Sequence, residues 1–270
     1  MRDCIGDKFI LNDRVLATSE FDKSSLLKGK SLYEVISFYN RKFLYLEDHM
    51  HRLQNSARLE KLNIWLPKKE IAEKIESLLR LNNIDQGSVN AVLSFSEDTN
   101  FTAYINKPDY PDKEQYRQGV KASLFFAERK NPNVKLFDKD FRSKAGRIIR
   151  DNELFDVLLV DNNGYITEGS KSNLFFIHDN EILTSPEENV LPGITRKHIL
   201  ELCKRLEIPT LQEKIHFTML NKMQAIFFTG TTTKVLPVRS VDDLLFQHHH
   251  PEVTRIMNAF ENEITLLTSQ

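Results

Sequence analysis

Cysteine and long apolar runs are both scarce in this 270-residue sequence. Its two cysteines, Cys4 and Cys203, form no C-x-x-C pair, so neither a zinc cage nor a disulfide framework is predicted. No uninterrupted apolar run approaches the length of a membrane span, and residues 1–6 lack the apolar segment of a secretory signal. The formal net charge of -1 gives no electrostatic reason to expect binding to nucleic acid or to an anionic membrane. We therefore expect a cytoplasmic protein without a metal site, which binds neither nucleic acid nor membranes.

Several widespread catalytic motifs are missing as well. The sequence contains no G-x-S-x-G nucleophile motif, no H-E-x-x-H zinc motif, no G-x-G-x-x-G fingerprint and no complete G-x-x-x-x-G-K-[ST] phosphate loop. These absences argue against the hydrolases and the nucleotide-binding enzymes that depend on those motifs. The histidine triplet at 248–250 is internal and is followed by Pro251, so we interpret it as part of an exposed loop.

The composition is that of an ordinary globular protein, with 40% hydrophobic and 28% charged residues. Strand-like and helical patterns follow one another irregularly, which predicts an α+β fold. Residues 107–118 contain two prolines and no apolar period, so we predict two domains, 1–110 and 120–270, with a linker at 111–119. The clearest predicted elements are strands at 31–39, 89–95, 101–105, 120–126, 156–160, 210–215 and 225–228, and helices at 46–57, 69–81, 141–152 and 252–264.

The stretch at 165–173, Y-I-T-E-G-S-K-S-N, places one carboxylate, that of Glu168, between two strand-like segments. Gly169 permits a tight turn, and the hydroxyl and amide side chains that follow can satisfy freed backbone groups. Such surroundings suit a carboxylate that is held against a specific partner. Taken in isolation, a solvated hairpin tip is the more common interpretation of this pattern.

Two further segments have the features of anion sites. Gly193-Ile194-Thr195 opens a predicted helix, where free amides, the positive end of the helix dipole and the Thr195 hydroxyl attract phosphate. The run T-G-T-T-T at 229–233 follows a buried strand, and its amides and hydroxyls could cradle an oxyanion. The alternatives are an ordinary helix start and a plain turn between strands.

A positive charge and a nucleophile are also available. Arg52 lies on the polar side of its predicted helix, where a solvated arginine is the usual case. The candidate nucleophilic lysines, among which spacing alone does not choose, are Lys121, Lys130, Lys135, Lys139 and Lys144. A phosphate site, a lysine and a lone carboxylate together suit a phosphate-bearing aldehyde cofactor. The lysine would form a Schiff base, and the carboxylate would keep the pyridine nitrogen protonated.

Six motifs, taken in order, resemble those of one known family. They are L-Y-E-V-I (32–36), H-M-H-R-L (49–53), V-K (134–135), G-Y-I-T-E-G-S-K-S-N (164–173), L-P-G-I-T-R (191–196) and T-G-T-T-T-K-V-L-P-V (229–238). The chain is similar over roughly 8–240 to the fold-type-IV pyridoxal-phosphate enzymes. These are the class IV aminotransferase family, which comprises the branched-chain and D-amino-acid aminotransferases and aminodeoxychorismate lyase. This resemblance implies a smaller N-terminal α/β domain and a larger C-terminal domain with a mixed, barrel-like sheet.

The resemblance also implies a role for each matched residue. Lys135 looks like the Schiff-base lysine that shuttles the proton, and Glu168 resembles the partner of the pyridine nitrogen. The implied phosphate cup consists of Arg52, the Ile194 amide, Thr195 and Thr231. Tyr33 matches a tyrosine on the substrate side of the cofactor ring, and Thr231 and Thr232 match positions that bind the substrate carboxylate. The implied cofactor is therefore pyridoxal 5'-phosphate.

The activity that the resemblance implies is transfer of an amino group between an amino acid and a 2-oxo acid, by a homodimer. The alternative is the lyase reaction that releases 4-aminobenzoate and pyruvate from aminodeoxychorismate, since both reactions use the same lysine and glutamate. The strand at 89–95 has no arginine of the kind that D-amino-acid transaminases use, which disfavours a D-amino-acid enzyme. A third hypothesis is a non-catalytic relative, and the presence of Lys135, Glu168, Arg52 and Thr195 argues against it.

Overall fold

The computed structural model of the protein describes residues 4–27, 29–96, 98–107 and 110–269. The chain forms two compact units. Unit 1 comprises Met1–Asp109, Val134–Phe137 and Ile264–Gln270, and unit 2 comprises Tyr110–Asn133 and Asp138–Glu263. The units therefore interleave along the chain, whereas the domains predicted at 1–110 and 120–270 are continuous. Among the described residues, no helix combines the length and the apolar character that crossing a membrane requires.

Unit 1 is a six-stranded antiparallel sheet with two helices. Its elements are β1 (Lys8–Leu11), β2 (Arg14–Ala17), β3 (Lys30–Tyr39), β4 (Lys42–Phe43), α1 (Leu46–Leu59), α2 (Lys68–Asn82), β5 (Gln86–Phe95) and β6 (Asn100–Asn106). The strand order is β2-β1-β6-β5-β3-β4. Alternate residues of β3, among them Leu32, Ile36 and Phe38, pack with Met50 and Leu53 of α1 in the main core. Every second side chain of the strand and the side chains on one face of the helix thus form one shared apolar layer.

Unit 2 contains a ten-stranded mixed sheet. Its elements are α3 (Lys113–Gln118), β7 (Val120–Phe126), α4 (Lys139–Asp151), β8 (Asp156–Val160), β9 (Tyr165–Gly169), β10 (Asn173–His178), β11 (Glu181–Thr184), α5 (Ile194–Arg205), β12 (Thr210–Gln212), β13 (Ile215–His216), β14 (Ala225–Gly230), β15 (Lys234–Val241), β16 (Leu244–Leu245) and α6 (Pro251–Ser269), whose residues from 264 belong to unit 1. The strand order is β12-β11-β10-β14-β15-β7-β8-β9-β13, with β16 beside β15. These sheets and helices confirm the predicted α+β class.

The two ends of this second sheet are joined by a very short connection. β12 and β13 are the terminal strands of the sheet order, yet only residues 213 and 214 separate them in sequence. Three Cα–Cα steps lead from Gln212 to Ile215 and span at most about 11 Å, so the sheet must curl until its two ends come close together. The sheet is therefore barrel-like, as the resemblance implied. The single strand predicted at 210–215 is wrong, because its two halves pair with different partners, β11 and β9.

Part of the predicted linker is helical. Asp112 caps α3: its carboxylate accepts a hydrogen bond from the Gln115 amide at 2.7 Å, and the Gln115 side chain accepts one from the Asp112 amide at 2.9 Å. A six-residue helix is too short for an apolar period to reveal it. Residues 108 and 109, in the proline-containing segment 107–118 on which the linker prediction is based, lie outside the described residues.

The histidine triplet is only partly exposed, which corrects its interpretation as an exposed loop. His249 is exposed, but His250 is buried immediately before α6, where Pro251 is the first helical residue. The His250 ring nitrogen Nδ1 lies 3.3 Å from the amide nitrogen of Glu252, in position to accept its hydrogen bond. His250 therefore caps the last helix, which its sequence context did not indicate.

Candidate active site

In unit 1, the segment containing Lys135 pairs with β3. The Tyr33 amide donates to the Lys135 carbonyl at 3.3 Å, and the Phe137 amide donates to the Ser31 carbonyl at 2.9 Å. Because Lys135 lies opposite Tyr33 in this antiparallel pairing, their side chains share one face of the sheet. The Lys135 ammonium lies 4.8 Å from the centre of the Tyr33 ring, a cation–π geometry. Two of the predicted site residues are therefore in contact.

Helix α1 fixes the backbone of the same lysine. The Lys135 amide donates to the Ser56 hydroxyl at 3.2 Å, and Ser56 is fully buried. Arg52 precedes Ser56 by four residues on α1, so both side chains project from the same side of the helix. The predicted cation and the predicted nucleophile are thus organised by adjacent turns of one helix.

Arg52 is buried, which corrects its placement among the solvated positions of the helix. Its Nε donates to one oxygen of Glu34 at 2.9 Å and its Nη2 donates to the other at 2.6 Å. His49 completes the cluster, with Nδ1 2.7 Å from Glu34. Alternation along β3 explains the contact, because Glu34 lies on the same face as the core residues that pack against α1.

Burial, hydrogen bonds and neighbouring charges together decide whether Glu34 and His49 are ionised. Burial alone would raise the pKa of Glu34, but attraction to Arg52 and hydrogen bonds from Arg52 and His49 lower that pKa to about 2. Burial lowers the pKa of His49, with the positive charges of Arg52 and Lys135 acting in the same direction. The hydrogen bond and the charge of Glu34 oppose this shift in pKa without cancelling it. At neutral pH, His49 is therefore uncharged and donates from Nδ1 to the Glu34 anion. The cluster thus pairs one anion with one cation.

Replacing Glu34 by glutamine should strongly destabilise the protein. The substitution leaves the Arg52 charge buried without its counter-charge, which costs about 3–5 kcal/mol in comparable pairs. Because the pKa of Glu34 is depressed from 4.5 to about 2, the stabilisation is complete above about pH 4.5 and is lost as the pH falls toward 2. Urea denaturation of wild type and Glu34→Gln between pH 7 and pH 3 measures this difference.

Asp85→Asn is a matched control for that experiment. It breaks the 2.9 Å ion pair with Arg41, in which both side chains are exposed. Such a surface pair contributes about 0–1 kcal/mol. Equal losses of unfolding free energy in the two variants would contradict a stabilising role for the buried cluster.

In unit 2, Glu168 lies in β9 and its side chain is only 4% exposed, so the stretch is not a solvated hairpin tip. One carboxylate oxygen accepts a hydrogen bond from Arg129 at 2.8 Å. The other accepts one from the Leu191 amide at 3.1 Å and lies 3.5 Å from the Asn173 side-chain nitrogen. Donors therefore contact both oxygens and fix the plane of the carboxylate.

The turn after Glu168 is held by a second buried carboxylate. Asp156 accepts hydrogen bonds from the hydroxyls of Ser170 and Ser172, at 2.5 and 2.7 Å. A side chain at Gly169 would collide with Ser172 and Asp156, so this position requires glycine although its φ is not positive. The hydroxyl groups in the sequence after Glu168 thus stabilise the turn between β9 and β10.

The N-terminus of α5 has the chemistry of an anion site. Gly193 is the N-cap residue and supplies no side-chain cap, and a Cβ at Gly193 would collide with the Asn173 side chain. Thr229 pairs with Asn173 across β14 and β10, so both face the same side of the sheet. Within the described part of the chain, the fully buried Thr229 hydroxyl has no hydrogen-bond partner. Ile194 and Thr195 begin the helix here, and both are buried.

Thr231 and Thr232 lie in the turn between β14 and β15, which closes at the pairing of Gly230 with Lys234. The Tyr116 hydroxyl of α3 donates to the Thr233 carbonyl at 3.0 Å and anchors this turn. The structure therefore places Thr231 and Thr232 in one turn that begins immediately after Gly230, two residues beyond Thr229. Tyr116 was not identified from the sequence, because α3 was expected to be a linker.

The sequence and the fold of the chain are both similar to those of known proteins. The family model described as "Amino-transferase class IV" matches residues 31–241. The branched-chain-amino-acid aminotransferase of Escherichia coli (strain K12) is 29% identical over 259 residues, covering 86% of this chain and 83% of the relative. The D-alanine aminotransferase of Bacillus licheniformis is 26% identical over 257 residues, covering 87% of this chain and 88% of the relative.

The fold is also shared with a solved structure, the branched-chain aminotransferase of Thermoproteus uzoniensis with norvaline. The TM-score is 0.86 at 21% identity, and the similarity covers 96% of this chain and 95% of that chain. The family match spans most of the sequence, and it includes every residue to which the motifs gave a role. On these grounds the chain belongs to the class IV aminotransferases, a family whose cofactor is pyridoxal 5'-phosphate.

Proposed function

We propose that this protein transfers an amino group from an amino acid to a 2-oxo acid, with Lys135 and Glu168 as its central catalytic residues. The observation that carries the proposal is the state of Glu168, which is buried and contacted by donors at both oxygens. A buried carboxylate organised in this way suits a cationic N–H partner, such as a protonated pyridine nitrogen. Amine transfer requires that ring to accept electrons, and Glu168 would keep it protonated.

The residues present fit a phosphate-bearing cofactor. Thr195 and the Ile194 amide at the start of α5 are proposed phosphate donors, together with Thr231 and Arg52. Two structural observations support this fit. The buried hydroxyl of Thr229 finds no hydrogen-bond partner among the described residues, and glycine permits a close approach at the N-cap of α5. When bound, the cofactor supplies an aldehyde for covalent attachment and a ring that accepts electrons.

The remaining roles concern attachment, proton movement and substrate orientation. Lys135 is proposed to hold the cofactor covalently and, once released, to carry the proton at its amine, which must then be uncharged. The hydrogen bond that its main-chain amide donates to the Ser56 hydroxyl keeps the lysine main chain fixed while the side chain moves. Tyr33 is proposed to face the substrate, and Thr231 and Thr232 to bind the substrate carboxylate.

The proposed substrates are an amino acid and a 2-oxo acid, with L-amino acids favoured over D. Strand β5, Gln86–Phe95, carries no arginine, and the arginine expected of a D-amino-acid enzyme would lie there. The similar proteins include both a branched-chain and a D-alanine aminotransferase, so the stereochemistry must be measured.

Amino-group exchange and pyruvate release, measured separately, test the proposal. The purified protein with pyridoxal 5'-phosphate is incubated with L- or D-amino acids and 2-oxoglutarate, and glutamate is quantified. A parallel reaction contains aminodeoxychorismate, and pyruvate is quantified. Glutamate formation is the expected result, with L-donors preferred. Pyruvate without exchange would replace the transferase with the lyase reaction.

We further propose a cytoplasmic homodimer, on the basis of the family resemblance. Light scattering on a sizing column should give twice the mass of the chain. A monomer that is active at the same concentration would contradict the dimer.

A further inference from the structure

Arg129 makes the shortest contact with Glu168 among the described hydrogen bonds of that carboxylate. The guanidinium nitrogen Nη1 lies 2.8 Å from the carboxylate, and the two side chains are 20% and 4% exposed. This pair therefore differs from the ordinary surface salt bridge, because removing the cation would leave a charge in a poorly solvated place. None of the motifs that carry the family resemblance contains Arg129.

A second cation, Arg196 of α5, also interacts with the charge of Glu168, but its hydrogen bonds go elsewhere. Its Nη2 donates to the Ser185 carbonyl at 2.8 Å and to the Gln212 side chain at 2.9 Å. Burial lowers the pKa of Arg196, and the charges of Glu187, Glu168 and Glu188 oppose that effect. Arg196 thus interacts with several acidic side chains through its charge, whereas Arg129 donates a hydrogen bond directly to Glu168.

We propose that Arg129 is a positioning residue that keeps the Glu168 carboxylate ionised and correctly oriented before the cofactor binds. The inference rests on the proposed role of Glu168 as partner of the ring nitrogen. Without a counter-charge, burial favours the protonated carboxyl, which would offer a neutral group in place of an anion. The amides on the second oxygen set its direction, and the arginine supplies the compensating charge.

Titration of Glu168 in the full-length, cofactor-free protein tests this inference. Protein labelled with carbon-13 in its glutamate carboxyls is titrated by NMR, and the Glu168 signal is assigned by its loss in Glu168→Gln. Loss of an opposite charge at this distance moves a titration midpoint by about 1–3 pH units. We therefore expect the midpoint to rise by at least about one unit in Arg129→Gln. Most of that rise should disappear in Arg129→Lys, which restores a positive charge.

Lys130→Gln is the matched control, because it removes one positive charge from the adjacent, exposed position. An unchanged midpoint in Arg129→Gln, or an equal rise in Lys130→Gln, would overturn the inference. Thermal unfolding of each variant shows whether the fold is retained, and Arg129→Lys keeps the test decisive if the glutamine variant unfolds. The titration needs no cofactor and no turnover, so it can fail or succeed independently of the proposed function.

Discussion

Replacing Lys135 by alanine is expected to abolish amino transfer, with a loss of at least about 100-fold to 10,000-fold in kcat. That range is what a positioned proton-transfer group alone contributes, and the loss of covalent attachment adds to it. In the wild type, borohydride reduction followed by peptide mass mapping should find the cofactor on Lys135. The Lys135→Ala protein should carry no such label, although it can still bind the cofactor non-covalently.

Lys139→Ala provides the control for this experiment. Lys139 lies four residues further along, is exposed, and is the first residue of α4. Removing the Lys139 side chain should leave both the labelling of Lys135 by the reduced cofactor and the turnover near wild type. A label on Lys139, or on any lysine other than Lys135, would refute the assignment. Lys135→Arg adds a second check, because it retains the positive charge beside Tyr33 but cannot take over the covalent role.

Replacing Glu168 by glutamine is expected to leave the cofactor bound but to lower kcat by about 100-fold or more. Removing one preorganised electrostatic contact from an active site costs about 100-fold to 1,000-fold. The neutral amide can occupy the same space between Leu191 and Asn173, but it cannot keep the ring nitrogen protonated. Cofactor content, measured by absorbance after alkaline release, separates a binding defect from a catalytic one.

Glu188→Gln is the appropriate comparison, since it removes an exposed acidic side chain of the same unit. It should retain both cofactor and turnover. Near wild-type turnover in Glu168→Gln would remove Glu168 from the catalytic residues. The residue would then have only a structural role, as an acceptor for Arg129 and for the backbone.

The elements that were predicted well are long and have a clear local signal. Strand β3 is a ten-residue run rich in apolar, β-branched and aromatic side chains, and α1 repeats its apolar positions at spacings of three and four. Helix α3 has six residues and one capping box, which is too little for a period. The division of 210–215 into two strands depends on their partners, β11 and β9, and a local pattern contains no information about partners.

The candidate site shows the same distinction between local motifs and distant contacts. Lys135 and Glu168 were identified because each lies in a recognisable motif. Glu34 lies within a matched motif, but its partnership with Arg52 spans 18 residues, and no spacing rule predicts it. Arg129 and Glu168 are 39 residues apart, and the polar segment that contains Arg129 is typical of a surface loop. These pairs are set by tertiary packing, which the sequence alone did not show.

The lengths of the outermost strands limit how another chain could join this protein. The sheet of unit 1 ends in β2 and β4, and that of unit 2 ends in β12 and β13, all of them only two to four residues long. Short edges offer few unpaired peptide groups as a template for an incoming strand. Addition of a strand from a second molecule along these four terminal strands is therefore disfavoured, which removes one route to aggregation. A specific dimer is accordingly not expected to form by pairing of these four short strands.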